Sequence, residues 1–317
     1  MRRIHFISSI IIALVMISCS TPYKSLAPIG SFNDIAYSYQ VKRVTLPKNG
    51  FNIAYVDEGK GAETIIFIHG LGSYLPAWKK NIEELKASYR CIAIDLPGYG
   101  KSSKEPHSGL MSLYAGVVNE LVAELNLGKV YLAGHSMGGQ ISITTSLLYP
   151  DIVKGLVLAA PAGFERFTEG QKAWFRDVMT TESVKKTTAE AIQNNLATNF
   201  YNLPSDAEFM VTDRLQMRSA SDFEGYCYAV AQSVKGMVNE PVIDYLGKVN
   251  VPTLIVFGEN DNLIPNRYLN PGATKKIAEY GHSQIGGSIL VIVPKSGHFV
   301  MFEKPEVFNA EVKKFIK

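Results

Sequence analysis

The chain has 317 residues, a formal net charge of +3 and 46% apolar residues. That composition is globular, sufficient for one sizeable core plus an insertion, and excludes a disordered or fibrous protein. Lys and Arg are scattered rather than gathered into runs, so charge gives no reason to expect nucleic acid or another anionic polymer as partner.

Met1-Arg2-Arg3 is a positive start, and the apolar stretch that follows reaches Ile17, broken by Ser8 and Ser9. It is shorter than the roughly 20 residues that span a bilayer, which makes it a secretory signal pattern over residues 1–18 rather than a permanent transmembrane helix. The stretch ends in Met16-Ile17-Ser18-Cys19, which resembles the bacterial lipobox. The resemblance implies that Cys19 is acylated and becomes the new N-terminus, as in an exported lipoprotein such as one carrying palmitate in the bacterial cell envelope. Ser20 stands where an Asp commonly retains lipoproteins in the inner membrane, which favours the outer one. Residues 19–40, with Pro22, Pro28 and Gly30, are then expected to be a lipid-anchored tether. Cys91 lies in an apolar run where a small buried thiol is expected, and no cysteine or histidine spacing suggests a disulfide or a metal.

From Val41 the chain alternates strand and helix. Val41–Leu46 and Asn52–Val56 form an expected hairpin around Lys48-Asn49-Gly50, and Thr64–Ile68 is a continuous apolar run of the kind found in a strand covered on both faces. A helix over Ala77–Ala87, a strand over Cys91–Leu96, a helix over Ser112–Leu125 and strands over Val130–Ala133 and Gly155–Ala159 follow, with a helix after Ser136. This rhythm predicts a mostly parallel sheet with helices on both faces. It breaks over residues 164–239, where helical segments such as Gln171–Met179 and Thr188–Thr198 suggest a helical cap, and it resumes with strands Thr253–Phe257 and Ile289–Val293 and a helix over Pro305–Ile316. The core is expected over 41–163 and 240–317.

Gly134-His135-Ser136-Met137-Gly138-Gly139 is a G-x-S-x-G motif between a predicted strand and a predicted helix. A sharp turn there forces the serine into strained backbone and lifts its hydroxyl clear of the sheet, and a Cβ at Gly134 or Gly138 would collide with neighbouring elements. A serine hydroxyl needs a base, and the base needs an orienting acid. His298, shortly after strand Ile289–Val293, is the base candidate, whereas His107 and His282 lie in stretches expected to be exposed loops. Asp261, in the loop closing strand Thr253–Phe257, is the acid candidate, with Glu259 and Glu165 as competitors. The Met137 N–H at the start of the helix and the Leu71 N–H in His69-Gly70-Leu71-Gly72 are the oxyanion candidates. His69 is expected to bond within its own loop.

These motifs, with Asp95-Leu96-Pro97-Gly98-Tyr99-Gly100-Lys101-Ser102 and Gly297-His298, resemble those of the α/β-hydrolase superfamily over residues 41–317. Within it the chain is similar to the capped group of bacterial carboxylesterases, monoacylglycerol lipases, C–C-bond hydrolases and proline iminopeptidases. The resemblance implies an eight-stranded, mostly parallel sheet and a serine hydrolase that needs no cofactor, with an ester or acyl compound as substrate. C–C-bond hydrolysis and a non-catalytic, lipid-tethered binding protein are the alternatives. Asn266–Ser288 is longer than usual between acid and histidine. Trp174, Phe175, Phe200, Tyr201, Phe209, Phe223, Tyr226 and Tyr228 either line an apolar pocket or pack the cap's own core.

Overall fold

A computed structural model describes Tyr23 and residues 26–317. In chain order the core begins with strands β1 (Lys42–Thr45), β2 (Asn52–Glu58) and β3 (Thr64–Ile68), helix α1 (Lys79–Leu85), strand β4 (Arg90–Ile94), helix α2 (Met111–Glu124), strand β5 (Val130–His135), helix α3 (Met137–Leu148) and strand β6 (Val153–Ala159). Five helices intervene: α4 (Glu169–Val178), α5 (Thr181–Lys185), α6 (Ala189–Thr198), α7 (Glu208–Met217) and α8 (Phe223–Asn239). The core then closes with β7 (Thr253–Gly258), α9 (Thr274–Gln284), β8 (Ile289–Val293), α10 (Val300–Glu303) and α11 (Pro305–Phe315).

The eight strands form one sheet in the order β1-β2-β4-β3-β5-β6-β7-β8. Only β2 is antiparallel to its neighbours, and every pairing from β4 to β8 is parallel. Because successive side chains of a strand point to opposite faces, β3 sends Ile66 and Ile68 into one core and Ile65 and Phe67 into the other. The first core is closed by α2, α3 and α8, the second by α1 and α11. A strand buried on both faces has no use for polar residues, which is why Thr64–Ile68 reads as a near-continuous apolar run.

The order of the strands reverses between β3 and β5, since β4 was added on the far side of β3. The loops leaving the carboxyl ends of β3 and β5 therefore diverge and open a crevice, the place where an open α/β sheet holds its ligand.

Three expectations need correction. The stretch anticipated as a tether is packed against the body from Leu26 onward. Ile29 N–H donates to Ser219 Oγ, Phe32 N–H to Asp222, and the Tyr37 hydroxyl to Asp95, while the Phe32 ring is fully buried against Tyr226. His107 is buried, bonded to the Pro97 carbonyl and the Gly109 N–H, and flanked edge-on by Phe51 and Tyr114. His282 lies on α9, where its Nδ1 meets the Ser288 hydroxyl. The long segment after Asp261 thus contains a helix of 11 residues, and the helix expected from Ala77 starts as a 3-10 turn at Leu75 with Pro76.

Candidate active site

Ser136 sits at the tip of the turn from β5 to α3, with φ 53° and ψ −117°. A left-handed φ is unfavourable for a residue with a Cβ and persists only where the surroundings enforce it. Two glycines provide that enforcement. A Cβ on Gly134 would stand 2.2 Å from the Gly138 carbonyl oxygen, and one on Gly138 would stand 2.2 Å from the Ile68 carbonyl oxygen. The strand, the turn and the neighbouring β3 are therefore closer together than any other residue permits.

The other candidates arrive from separate loops. His298, between β8 and α10, lies beside Asp261, which follows β7: His298 Nδ1 is 2.8 Å from Asp261 Oδ2, and both side chains are buried. The second carboxylate oxygen, Oδ1, accepts the N–H groups of Leu263 and Ile264 at 2.8 and 3.0 Å. Those two donors fix the rotation of the carboxylate, so that the remaining oxygen faces the imidazole. Glu259 is exposed, and Glu165 lines the cavity, where its carboxylate accepts the Asn266 N–H and the Asn270 side chain. Burial pushes the Glu165 carboxyl up from its ordinary range.

Ser136, His298, Leu71 and Gly70 line one cavity of about 650 Å³ beneath the cap. Met137 is the first residue of α3, so its N–H has no acceptor within the helix. A Cβ on Gly70 would come within 3.1 Å of the Ser136 Cβ, which places the β3 loop directly against the serine. Cys19 lies outside the described residues.

The neighbouring histidines are structural. His69 is buried, with Nδ1 against the Gly70 carbonyl and Nε2 accepting the Leu96 N–H, and burial lowers its pKa. His135 has its Nε2 against the His298 carbonyl, and burial, helped by the proximity of His298, holds its pKa well below the usual imidazole value. A neutral His135 donates from Nε2 and so supports the His298 backbone from below.

Several residues of the site were not singled out from the sequence. Glu303 on α10 accepts the N–H groups of Gly297, Tyr201 and Asn202 at 2.8, 3.1 and 2.7 Å, tying the His298 loop to the cap. Arg214 on α7 donates to the Gly72 carbonyl, which also accepts the Tyr226 hydroxyl at 3.2 Å. The Tyr74 hydroxyl bonds Asp213 at 2.5 Å. The loop carrying Leu71 is thereby pinned from above by α7 and α8. No local pattern marks such residues, because every contact except that of Glu303 with Gly297 joins positions at least 100 apart in the chain.

The cap's interior is aliphatic. Met179, Val184, Ile192, Leu196, Met210, Met217, Val230 and Val234 line the cavity; of the eight aromatics singled out in the sequence only Phe175 does so, and Phe167 of the cap lines it as well. Phe200, Phe223 and Tyr226 pack into the cores, and Trp174 and Tyr201 are exposed.

A family model described as alpha/beta hydrolase fold matches residues 63–305. Among curated proteins, the 2-hydroxy-6-oxononadienedioate/2-hydroxy-6-oxononatrienedioate hydrolase 1 of Pseudomonas putida is 31% identical over 279 residues, covering 84% of this chain and 92% of its own. The dihydrolipoyllysine-residue acetyltransferase component of the acetoin cleaving system of Cupriavidus necator is 27% identical over 300 residues, covering 93% of this chain and 73% of its own. Among solved structures, a probable hydrolytic enzyme of Pseudomonas aeruginosa superposes with a TM-score of 0.81 at 26% identity, covering 92% of this chain and all of that one. An esterase of Exiguobacterium antarcticum superposes with a TM-score of 0.73 at 23% identity, covering 87% and 99%, a likeness of fold.

Proposed function

Since this chain belongs to the alpha/beta hydrolase fold family and is an enzyme, we propose that it hydrolyses carboxylic esters with Ser136, His298 and Asp261 as its catalytic triad. The observation that carries this reading is the buried His298–Asp261 pair, 2.8 Å apart, whose imidazole lines the same cavity as a serine held at positive φ. His298 takes the proton of the Ser136 hydroxyl as its oxygen attacks the acyl carbon, and the N–H groups of Leu71 and Met137 stabilise the oxyanion. The tetrahedral intermediate expels the alcohol, which receives that proton from His298. Water, activated by the same imidazole, then cleaves the acyl-enzyme and releases the acid. The aliphatic chamber suits an acyl chain, and its volume of about 650 Å³ lies within the range of small-molecule sites.

A second reading, C–C-bond hydrolysis, is favoured by the name of the Pseudomonas putida relative. It uses the same serine and base on a vinylogous diketone. The purified protein is expected to release p-nitrophenol from p-nitrophenyl esters and to leave a ring-cleavage dienone intact. Turnover of the dienone with inert esters would replace the first reading by the second.

We also propose that Cys19 carries a lipid anchor, on the strength of the lipobox-like Met16-Ile17-Ser18-Cys19. The full chain is expected to partition into the detergent phase of a Triton X-114 separation and the Cys19→Ala variant to stay aqueous. Unchanged partitioning would refute the anchor.

A further inference from the structure

Among the described residues, four of the eight exposed large apolar side chains are aromatic residues from segments that meet around Arg166, which lines the cavity. They are Trp174 on α4, Tyr245 after α8, Tyr268 in the loop after β7, and Tyr280 on α9. Arg166 is the hub that joins them. Its guanidinium pairs with Asp244, next to Tyr245, and lies near Tyr280. Its carbonyl accepts the Asn270 side chain, and the Gln171 side chain donates to the Leu269 carbonyl, bringing α4 beside Tyr268.

Helix α4 buries none of its residues, yet carries Trp174 and Val178 one turn apart on one outer face. Trp174 is 47% exposed and Tyr268 83% exposed. So much exposed ring surface in one place marks an interaction surface rather than ordinary solvent-facing scatter. Cations are interleaved with the rings: Lys248 Nζ lies 5.2 Å from the Tyr245 ring centre, and Arg267 Cζ lies 5.8 Å from that of Tyr268.

We propose that this aromatic and basic rim docks on an anionic lipid surface. Tyr and Trp rings, each with an apolar body and a polar tip, favour the headgroup level, and each nearby Lys or Arg gains from anionic lipid. The bilayer, rather than a protein, is singled out by the N-terminal strap. The chain reaches the body on the cap, where Tyr23 bonds Glu208, the Ala27 carbonyl accepts from Gln216, and Ile29 bonds Ser219. A lipid on Cys19, as proposed above, would hold the cap close to the membrane. The rim is then a second contact that turns the cavity mouth toward the bilayer, so that an acyl chain enters the aliphatic chamber without crossing water.

The chain has two tryptophans, and Trp78 is fully buried, so Trp174 reports on this face. The full-length protein on phosphatidylcholine–phosphatidylglycerol vesicles whose acyl chains are brominated near the headgroup is expected to lose about half of its tryptophan emission. The Trp174→Phe variant, left with Trp78, should lose almost none. The Val178→Asp/Tyr268→Asp variant is expected to show roughly threefold less quenching of Trp174, since charge is costly in lipid, with turnover of a short water-soluble ester unchanged. Trp174 emission indifferent to brominated lipid, or equal quenching in the charged variant, overturns the proposal. A blue shift that follows protein concentration without lipid overturns it in favour of a second copy of the chain. Quenching does not depend on catalysis, so failure of ester hydrolysis alone refutes the proposed function and leaves the docking standing.

Discussion

Replacing Ser136 with Ala is expected to lower kcat on p-nitrophenyl esters by about 10⁴-fold or more, with KM little changed, and to abolish labelling by a fluorophosphonate probe. The loss is large because no other group can do the serine's work. His298 would then have only water to activate, and the oxyanion donors would stabilise a slower attack. Folding should survive, because Ala relieves none of the packing around Gly134 and Gly138 and removes only a hydroxyl that faces the cavity. A Ser136→Ala protein that keeps a substantial share of activity, or that is labelled as well as the parent, would sink the serine mechanism. Failure of the parent to be labelled would favour the non-catalytic alternative.

The second large effect is expected from Asp261→Asn, about 10⁴-fold in kcat with the melting temperature nearly kept. The two oxygens of Asp261 are not equivalent. Oδ1 accepts two backbone N–H groups, from Leu263 and Ile264, so an Asn must leave its carbonyl oxygen there and turn its NH₂ toward His298. A donor facing Nδ1 forces the imidazole proton onto Nε2, the nitrogen that must be bare to accept the serine's proton. The side chain would remain seated while the base is in the wrong tautomer. Because the three residues act as a unit, adding Asp261→Asn to Ser136→Ala should lower kcat little further. A single Asp261→Asn variant within tenfold of the parent would show that the orienting acid lies elsewhere, and Glu165, half-buried in the lining of the cavity, would be the next residue to replace.

Most of the sheet, and the loops that carry Ser136, His298 and Asp261, were legible in the sequence, because each depends on local pattern. Apolar runs of five or six residues mark strands covered on both faces, and glycines bracketing a serine mark the turn. What escaped depends on distant partners. Residues 26–40 are punctuated by a proline and a glycine, and nothing nearby reveals that Phe32 is buried by Tyr226 some 190 positions on. Helix α9 was obscured by Gly281, a poor helix former that is there because a Cβ would meet the Phe164 ring at 2.1 Å. His107 lies in a loop as expected, but its burial was not legible, since one of the rings that cover it comes from Phe51, more than 50 positions earlier. Arg214 is one of many Lys and Arg residues, and its role at Gly72 exists only in three dimensions.

The pins between cap and core bear on how a substrate gets in. Arg214 and Tyr226 hold Gly72, Asp213 holds Tyr74, Glu303 joins the His298 loop to residues 201 and 202, and the strap is laid across α7 and α8 from outside. Swinging the cap open would strip all of these at once and uncover buried rings. The cap is therefore tied to the core as a roof, whereas the Arg166–Asp244 pair at the cavity is exposed to solvent on both sides and weak for that reason. Parting such an exposed pair is a matter of side-chain time, nanoseconds rather than the microseconds to milliseconds of domain closure.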